Sequence, residues 1–204
     1  MEGAVVIFGI TGRMGSGKTT LACGLQRCWA TPLQIFEVDA LRRHALWSSE
    51  SRHHVQLRQQ LAAAFRLPTE TDKCWMERER FTQLIFSTRE LFEQCRTIVT
   101  PVLQLDLRSS VPSGHDSVIV WAYLVEEEYD RLLDGPVLIL DCDDATVQQR
   151  MATADLGPDQ WARRSCYEPT LAQRLDLCVR EGIPHQLIAP SDTPQKIRDE
   201  YLRS

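Results

Sequence analysis

Gly12-Arg13-Met14-Gly15-Ser16-Gly17-Lys18-Thr19 matches the pattern G-x-x-x-x-G-K-[ST] at every fixed position and follows the apolar run Ala4-Val5-Val6-Ile7-Phe8. A short apolar run ending at a glycine turn reads as a buried strand, and the residues beyond Thr19 read as a helix. That context gives each residue type a task. Glycines let the backbone close around phosphate groups, the amides of Gly15 to Thr19 point inward, and a helix starting near Lys18 offers its positive end to an anion. Lys18 is expected to bridge the β- and γ-phosphates of a nucleoside triphosphate, with Mg²⁺ on the Thr19 hydroxyl and an outer phosphate near Thr20. Gly12, Met14, Gly15, Ser16 and Gly17 form the rest of the cradle.

Outward from the loop, Leu21, Ala22, Leu25 and Cys28 give Thr19–Trp29 one apolar helical face, and Thr31-Pro32 ends it. Strands are expected at Gln34–Val38, Ser117–Trp121, Val137–Leu140 and Gln186–Ile188. Helical patterns fill 40–108, a short stretch from Glu126 to Leu133, and 145–179. Continuous apolar strands alternating with helices predict a parallel sheet covered on both faces, a three-layer α/β/α fold of the P-loop NTPase type, with ligands at the carboxyl ends of the strands. One domain is expected over 1–204. Its core would take about 1–40, 115–145 and 180–204, a helical substrate-binding insertion about 41–110, and a helical lid about 146–178.

The composition narrows the class. Of 204 residues, 43% are hydrophobic and 25% charged, and no apolar run is long enough to cross a bilayer. Twenty-three basic against 28 acidic residues give a net charge of −5, which argues against broad nucleic-acid binding and favours a small phosphorylated ligand. Seven cysteines, an odd number without a C-x-x-C pair, suggest neither a disulfide framework nor a zinc site, and the five histidines form no metal-ligand spacing with one another or with the cysteines. The N-terminal residues carry no basic leader followed by an apolar segment, so a reducing cytoplasm is the expected compartment, with the chain a monomer or small homo-oligomer.

A phosphate-binding loop serves kinases, GTPases, motors and sensors alike, so further groups must choose among them. Asp39 directly follows the second strand, with Arg42 and Arg43 on the next helical turn. An aspartate there either caps a helix or aligns and deprotonates an attacking hydroxyl, while an arginine holds an anionic substrate. Arg78 lies in the charged run Glu77-Arg78-Glu79-Arg80, which fits a solvated helix face as well as a substrate contact. Glu126, with Glu127 and Glu128, fits either the acidic first turn of a helix or a place near the substrate. No N-K-x-D segment that would read guanine is present.

Taken in order, several blocks resemble the dephospho-coenzyme A kinase family over nearly the whole length. Gly9-Ile10-Thr11-Gly12 through Thr20 is similar to that family's P-loop. Glu37-Val38-Asp39-Ala40-Leu41-Arg42-Arg43 resembles its D-x-D-x-x-x-R segment, and Glu77-Arg78-Glu79-Arg80-Phe81, Ile85-Phe86-Ser87 and Thr100-Pro101 resemble blocks of its helical coenzyme-binding region. Ala122-Tyr123-Leu124-Val125-Glu126 sits where the family has P-L-L-F-E, and Val147-Gln148-Gln149-Arg150 matches its Q-x-x-R stretch.

The resemblance implies a kinase that moves the γ-phosphate of ATP to the 3′-hydroxyl of dephospho-coenzyme A, the last step of coenzyme A synthesis. Asp39 would then be the catalytic base, assisted by Lys18 and Arg150, with Arg43, Arg78 and Glu126 on the substrate side. The chain departs from the family pattern at Glu37, Thr100 and Ala122, at Ala154 in place of a lid arginine, and around Tyr167-Glu168-Pro169, where the family's late lid glutamine has no clear match. Arg163 or Arg164 are candidates to supply the missing lid cation. Two rival readings remain: a nucleoside or nucleoside monophosphate kinase, and a non-catalytic nucleotide-binding regulator.

Overall fold

The computed structural model of the protein describes residues 5–67, 77–112, 114–152 and 158–202. The chain folds as two compact units, 1–37 with 111–204, and Val38–Ser110. The first is built on five parallel strands, β1 (Ile7–Gly12), β2 (Gln34–Glu37), β3 (Ser117–Val120), β4 (Val137–Leu140) and β5 (His185–Ile188), in the order β2-β3-β1-β4-β5. From β1 the chain goes to one side for β2 and β3 and to the other for β4 and β5. Such a reversal opens a crevice at the carboxyl end of the central strand, which is where β1 hands over to the glycine-rich loop.

The strands are nearly continuous apolar runs because both faces of the sheet are covered. Phe8, Ile10, Val118 and Leu138 point into one core with Leu21, Ala22 and Leu25 of helix α1 (Lys18–Cys28). Phe8 and Ile10 have no exposed surface, which at usual burial coefficients is worth about 1.5–3 kcal/mol for each side chain. Gly24 sits inside α1 because a Cβ there would stand 2.6 Å from Cγ of Pro194, the first residue of a short C-terminal helix. Asp116 ties the edge of this layer together. Its carboxylate accepts hydrogen bonds from the Val6 amide, the Trp29 indole and the Thr31 hydroxyl at 2.9, 2.7 and 2.9 Å. Burial pushes the Asp116 carboxyl up, and these donors more than offset it, so it lies below the usual range.

The second unit consists of α2 (Val38–Trp47), α3 (Arg52–Phe65), α4 (Arg78–Ile85) and α5 (Arg89–Ser110). Phe81 packs edge-on against both Trp47 and Phe65. Pro101 lies inside α5, where it withdraws one amide from the helical ladder. The sequence pattern starts this insertion at 41 and runs β2 through Val38. Val38 is instead the first residue of α2, fully buried, so strand passes into helix without a loop.

Returning to the first unit, a 3₁₀ turn (Tyr129–Leu132), α6 (Asp144–Ala152), α7 (Pro158–Ser165), α8 (Leu171–Glu181) and α9 (Pro194–Ile197), prolonged by a π-helical turn (Arg198–Leu202), complete the fold. The expected helix at 126–133 is thus a set of turns ending in one 3₁₀ turn. Its three acids are used separately: Glu126 pairs with Arg174, Glu127 accepts from the Trp121 indole at 2.8 Å, and Glu128 takes a left-handed backbone (φ 57°) and pairs with Arg131. The lid range 146–178 is described except for 153–157, so Ala154 lies outside the described residues. Cys23, Cys28, Cys95, Cys142, Cys166 and Cys178 are free thiols. Among the described residues no helix is long and apolar enough to cross a membrane.

Candidate functional site

The carboxyl end of β1 turns into α1 through three glycines with positive φ: Gly12 (145°), Gly15 (78°) and Gly17 (96°). A side chain at Gly12 would stand 3.1 Å from the Leu140 carbonyl oxygen, and one at Gly17 would stand 3.2 Å from a guanidinium nitrogen of Arg150. Both positions require glycine for conformation, and Gly12 requires it for space as well. Gly17 is also the N-cap of α1, and no side chain caps that end. The first amides of the helix are therefore left to an external acceptor, and an anion is what the helix end favours. Ser16 Oγ is buried without a partner among the described residues. An uncapped helix end, a glycine cradle and an orphaned hydroxyl form a fitting receptor for phosphate oxygens.

Lys18 reaches back over this loop and donates to the carbonyls of Gly12 and Arg13 at 2.9 and 2.8 Å. Thr19 and Thr20 follow in the first turn of α1, both exposed. A hydroxyl and a lysine delivered side by side at the same loop suit a triphosphate with its divalent cation.

Three groups from the segment beyond β4 hold the loop from outside. Arg13 pairs with Asp144 at the start of α6, Arg150 of α6 donates to the Gly15 carbonyl at 3.1 Å, and Glu168 accepts the Met14 amide proton at 2.7 Å. Burial pushes the Glu168 carboxyl above the usual carboxylate range, against the opposing pull of the Met14 amide and of the charges on Lys18, Arg174 and Arg13. Behind it, Arg174 of α8 is 1% exposed. It donates to the Ala122 carbonyl at 2.7 Å and to Glu126 at 3.2 Å, and Thr11 Oγ1 shares that carbonyl at 3.3 Å. The end of β1, the segment after β3 and α8 are therefore joined through one carbonyl oxygen.

Beside the loop, at the carboxyl ends of β4 and β5, opens a cleft of about 330 Å³ lined by Ser16, Thr20, Cys142, Arg150, Pro190 and Asp192 among others. Half-apolar walls next to a phosphate cradle suit the base and sugar of a nucleotide.

Of the residues singled out from sequence, Gly12, Met14, Gly15, Ser16, Gly17, Lys18, Thr19 and Thr20 lie together in one loop, with Arg150 against it. Glu126 stands with Arg174. Asp39, Arg43 and Arg78 belong to the second unit. Asp39 is the second residue of α2, two residues past the carboxyl end of β2, with its side chain 61% exposed and 3.9 Å from Arg42. Arg43 is one turn further on the same face. Arg78 is the exposed first residue of α4. Sequence reasoning missed Glu168, Arg174, Thr11 and Asp144, whose partners lie far away along the chain. The signal available for Glu168 was the unmatched segment Tyr167-Glu168-Pro169 itself.

The dephospho-CoA kinase family model matches residues 6–174. The chain belongs to the dephospho-CoA kinase family. It is accordingly of an ATP-dependent kinase family, a group of transferases. Dephospho-CoA kinases from two strains of Thermus thermophilus are each 27% identical to it over 158 residues, covering 76% of this chain and 71% of the relative. A Thermus thermophilus protein of solved structure superposes with a TM-score of 0.65 at 21% identity, covering 95% of this chain and 93% of its own. The dephospho-CoA kinase from Campylobacter jejuni gives 0.55 at 13% identity, covering 95% and 92%. At those identities the two structures speak for the fold.

Proposed function

We propose that the chain transfers the γ-phosphate of Mg-ATP to the 3′-hydroxyl of dephospho-coenzyme A. The observation that carries this reading is the receptor at the end of β1, with an uncapped α1, three glycines of positive φ and Lys18 on the loop, in a chain whose family model covers it from residue 6 to 174.

In this reading the loop amides and Lys18 stabilise negative charge on the transferring group, and they do so without reorganising because the glycine backbone is already set. Thr19 supplies the hydroxyl for Mg²⁺, a cation that neutralises phosphate charge when bound. Arg150 adds a guanidinium at the rim. The base and ribose of ATP take the cleft between the ends of β4 and β5. Asp39 accepts the proton of the acceptor hydroxyl or aligns it, and Arg43 and Arg78 hold acceptor phosphates. Glu126 acts on the substrate side through the orientation of Arg174 and the turn at Ala122.

The experiment is ADP release by the purified chain with Mg-ATP, comparing dephospho-coenzyme A with nucleosides and nucleoside monophosphates, and with Lys18→Ala as the blank. Release with dephospho-coenzyme A alone, lost in the variant, is the expected result. Release with a nucleotide acceptor instead would assign a different acceptor to the same site, and ATP binding without turnover on any acceptor would make the chain a nucleotide-binding regulator.

A further inference from the structure

We propose that His53, His54 and Asp106 form a binding site for a divalent transition cation of the zinc class, held within the second unit and independent of the phosphate loop. His53 and His54 stand in the first turn of α3, and Asp106 comes from α5. Nε2 of His53 lies 2.9 Å from one oxygen of the Asp106 carboxylate, and Nε2 of His54 lies 2.7 Å from the other. The two rings are 4.0 Å apart between centroids, and the three ligand atoms all lie within 4.8 Å of one another. His44 of α2 adds a third imidazole edge-on to His54 at 6.1 Å.

Two imidazole nitrogens and a carboxylate oxygen form a donor set that suits Zn²⁺, Co²⁺ or Ni²⁺ better than Mg²⁺ or Ca²⁺, which prefer oxygen alone. The geometry needs little adjustment. With metal-ligand distances near 2.1 Å, neighbouring ligand atoms of a tetrahedral site stand about 3.4 Å apart, so the present cluster must rearrange by roughly 1 Å. The His53 side chain is 54% exposed and free to rotate by that amount, and its exposure leaves the remaining coordination position open to water. His54 is anchored, with 7% of its side chain exposed.

Cation entry moves each ring proton from Nε2 to Nδ1, and the Asp106 carboxylate exchanges two hydrogen bonds for one metal bond. Nδ1 of His54 is buried and has no partner among the described residues. The outer acceptor that commonly strengthens a metal-bound imidazole is therefore missing at His54. Such partners are worth about 10–100-fold in affinity, so the site is expected to bind the cation weaker by about that factor than one whose imidazoles both have an outer acceptor. Histidine and cysteine spacings gave no hint of this cluster, because its third ligand is an aspartate far along the chain.

The test is titration of the chelator-treated full chain with Co²⁺ and then Zn²⁺. The expected result is saturation at one equivalent of Co²⁺ with visible d–d absorption of a low-coordinate ion, no thiolate-to-cobalt charge-transfer band, and displacement by Zn²⁺. His53→Gln, at an exposed position, is expected to weaken binding at least about tenfold and to abolish any rise in Tm with Zn²⁺. Asp106→Asn should do the same, with circular dichroism verifying that it remains folded. Three results would each overturn the site: no saturable binding, equal affinity in wild type and His53→Gln, or a charge-transfer band that places the ion on a cysteine.

Discussion

Replacing Arg174 by Met tests whether the buried network behind the loop is as strongly coupled as its geometry indicates. Arg174 is 1% exposed and Glu126 12% exposed at the side chain, so neither charge is substantially screened by water. Met keeps most of the buried aliphatic volume, which keeps the cavity contribution small. The Ala122 carbonyl retains the Thr11 hydroxyl. What remains is a largely buried Glu126 carboxylate that has lost the Arg174 cation, and breaking a buried pair from one side costs about 3–5 kcal/mol. Against a usual domain stability of about 5–15 kcal/mol, that is about a fifth or more of the total. Adding Glu126→Gln removes the stranded charge and should recover a large part of the loss. Urea titration followed by tryptophan fluorescence measures both variants. A loss below about 1 kcal/mol for Arg174→Met, or a double variant no more stable than the single one, would refute the argument.

Glu168→Gln keeps an acceptor oxygen for the Met14 amide and removes the titration. Because burial raises the Glu168 carboxyl, the folded chain holds a proton there that the unfolded chain gives up. That contribution to stability is complete below the unfolded value of about 4.3 and is lost as pH rises through the folded one. The variant should therefore be more stable than wild type above that window, and its ATP affinity, measured calorimetrically, should be higher and flatter with pH; identical pH profiles would count against it. Asp39→Asn should lower turnover by about 10²–10⁴-fold while leaving nucleotide affinity intact, and near-normal turnover would remove Asp39 from the acceptor chemistry. Lys18→Ala should cost turnover by about 10²-fold or more without unfolding the chain, as read by ADP release and circular dichroism. The Cys178 thiol is pushed up to about 11, chiefly by burial and then by Glu126 and Asp130. Near pH 8 roughly one molecule in a thousand holds it as thiolate, so mass spectrometry after brief alkylation should find exposed Cys166 labelled and Cys178 intact.

The phosphate loop was legible because everything it needs is contiguous: strand, glycines, lysine and helix follow one another in a single stretch. The parallel sheet was legible for a related reason, since strands buried on both faces announce themselves as unbroken apolar runs. Contacts that depend on distant parts of the chain were not. Glu168 meets Met14 across 154 positions and Arg174 meets Ala122 across 52, and nothing local marks either side chain as buried. The helix expected at 126–133 failed because three consecutive acids suit a helical first turn, whereas here each is drawn to a different partner and the backbone turns at Glu128 to allow it. The short α9 escaped notice because its packing signal, the glycine at position 24, reads as a helix weakener until Pro194 is seen against it.

The placement of Val38–Ser110 has a consequence for how such a chain diversifies. Because β2 and β3 lie side by side and run in the same direction, some connection must carry the chain from the carboxyl end of one to the amino end of the other, and a dozen or more residues is the least that will do it. Here that obligatory return journey is the entire second unit. The sheet fixes where the connection departs and where it re-enters, and leaves its content open. Exchange of that one segment between relatives would leave every strand pairing and the phosphate loop as they were.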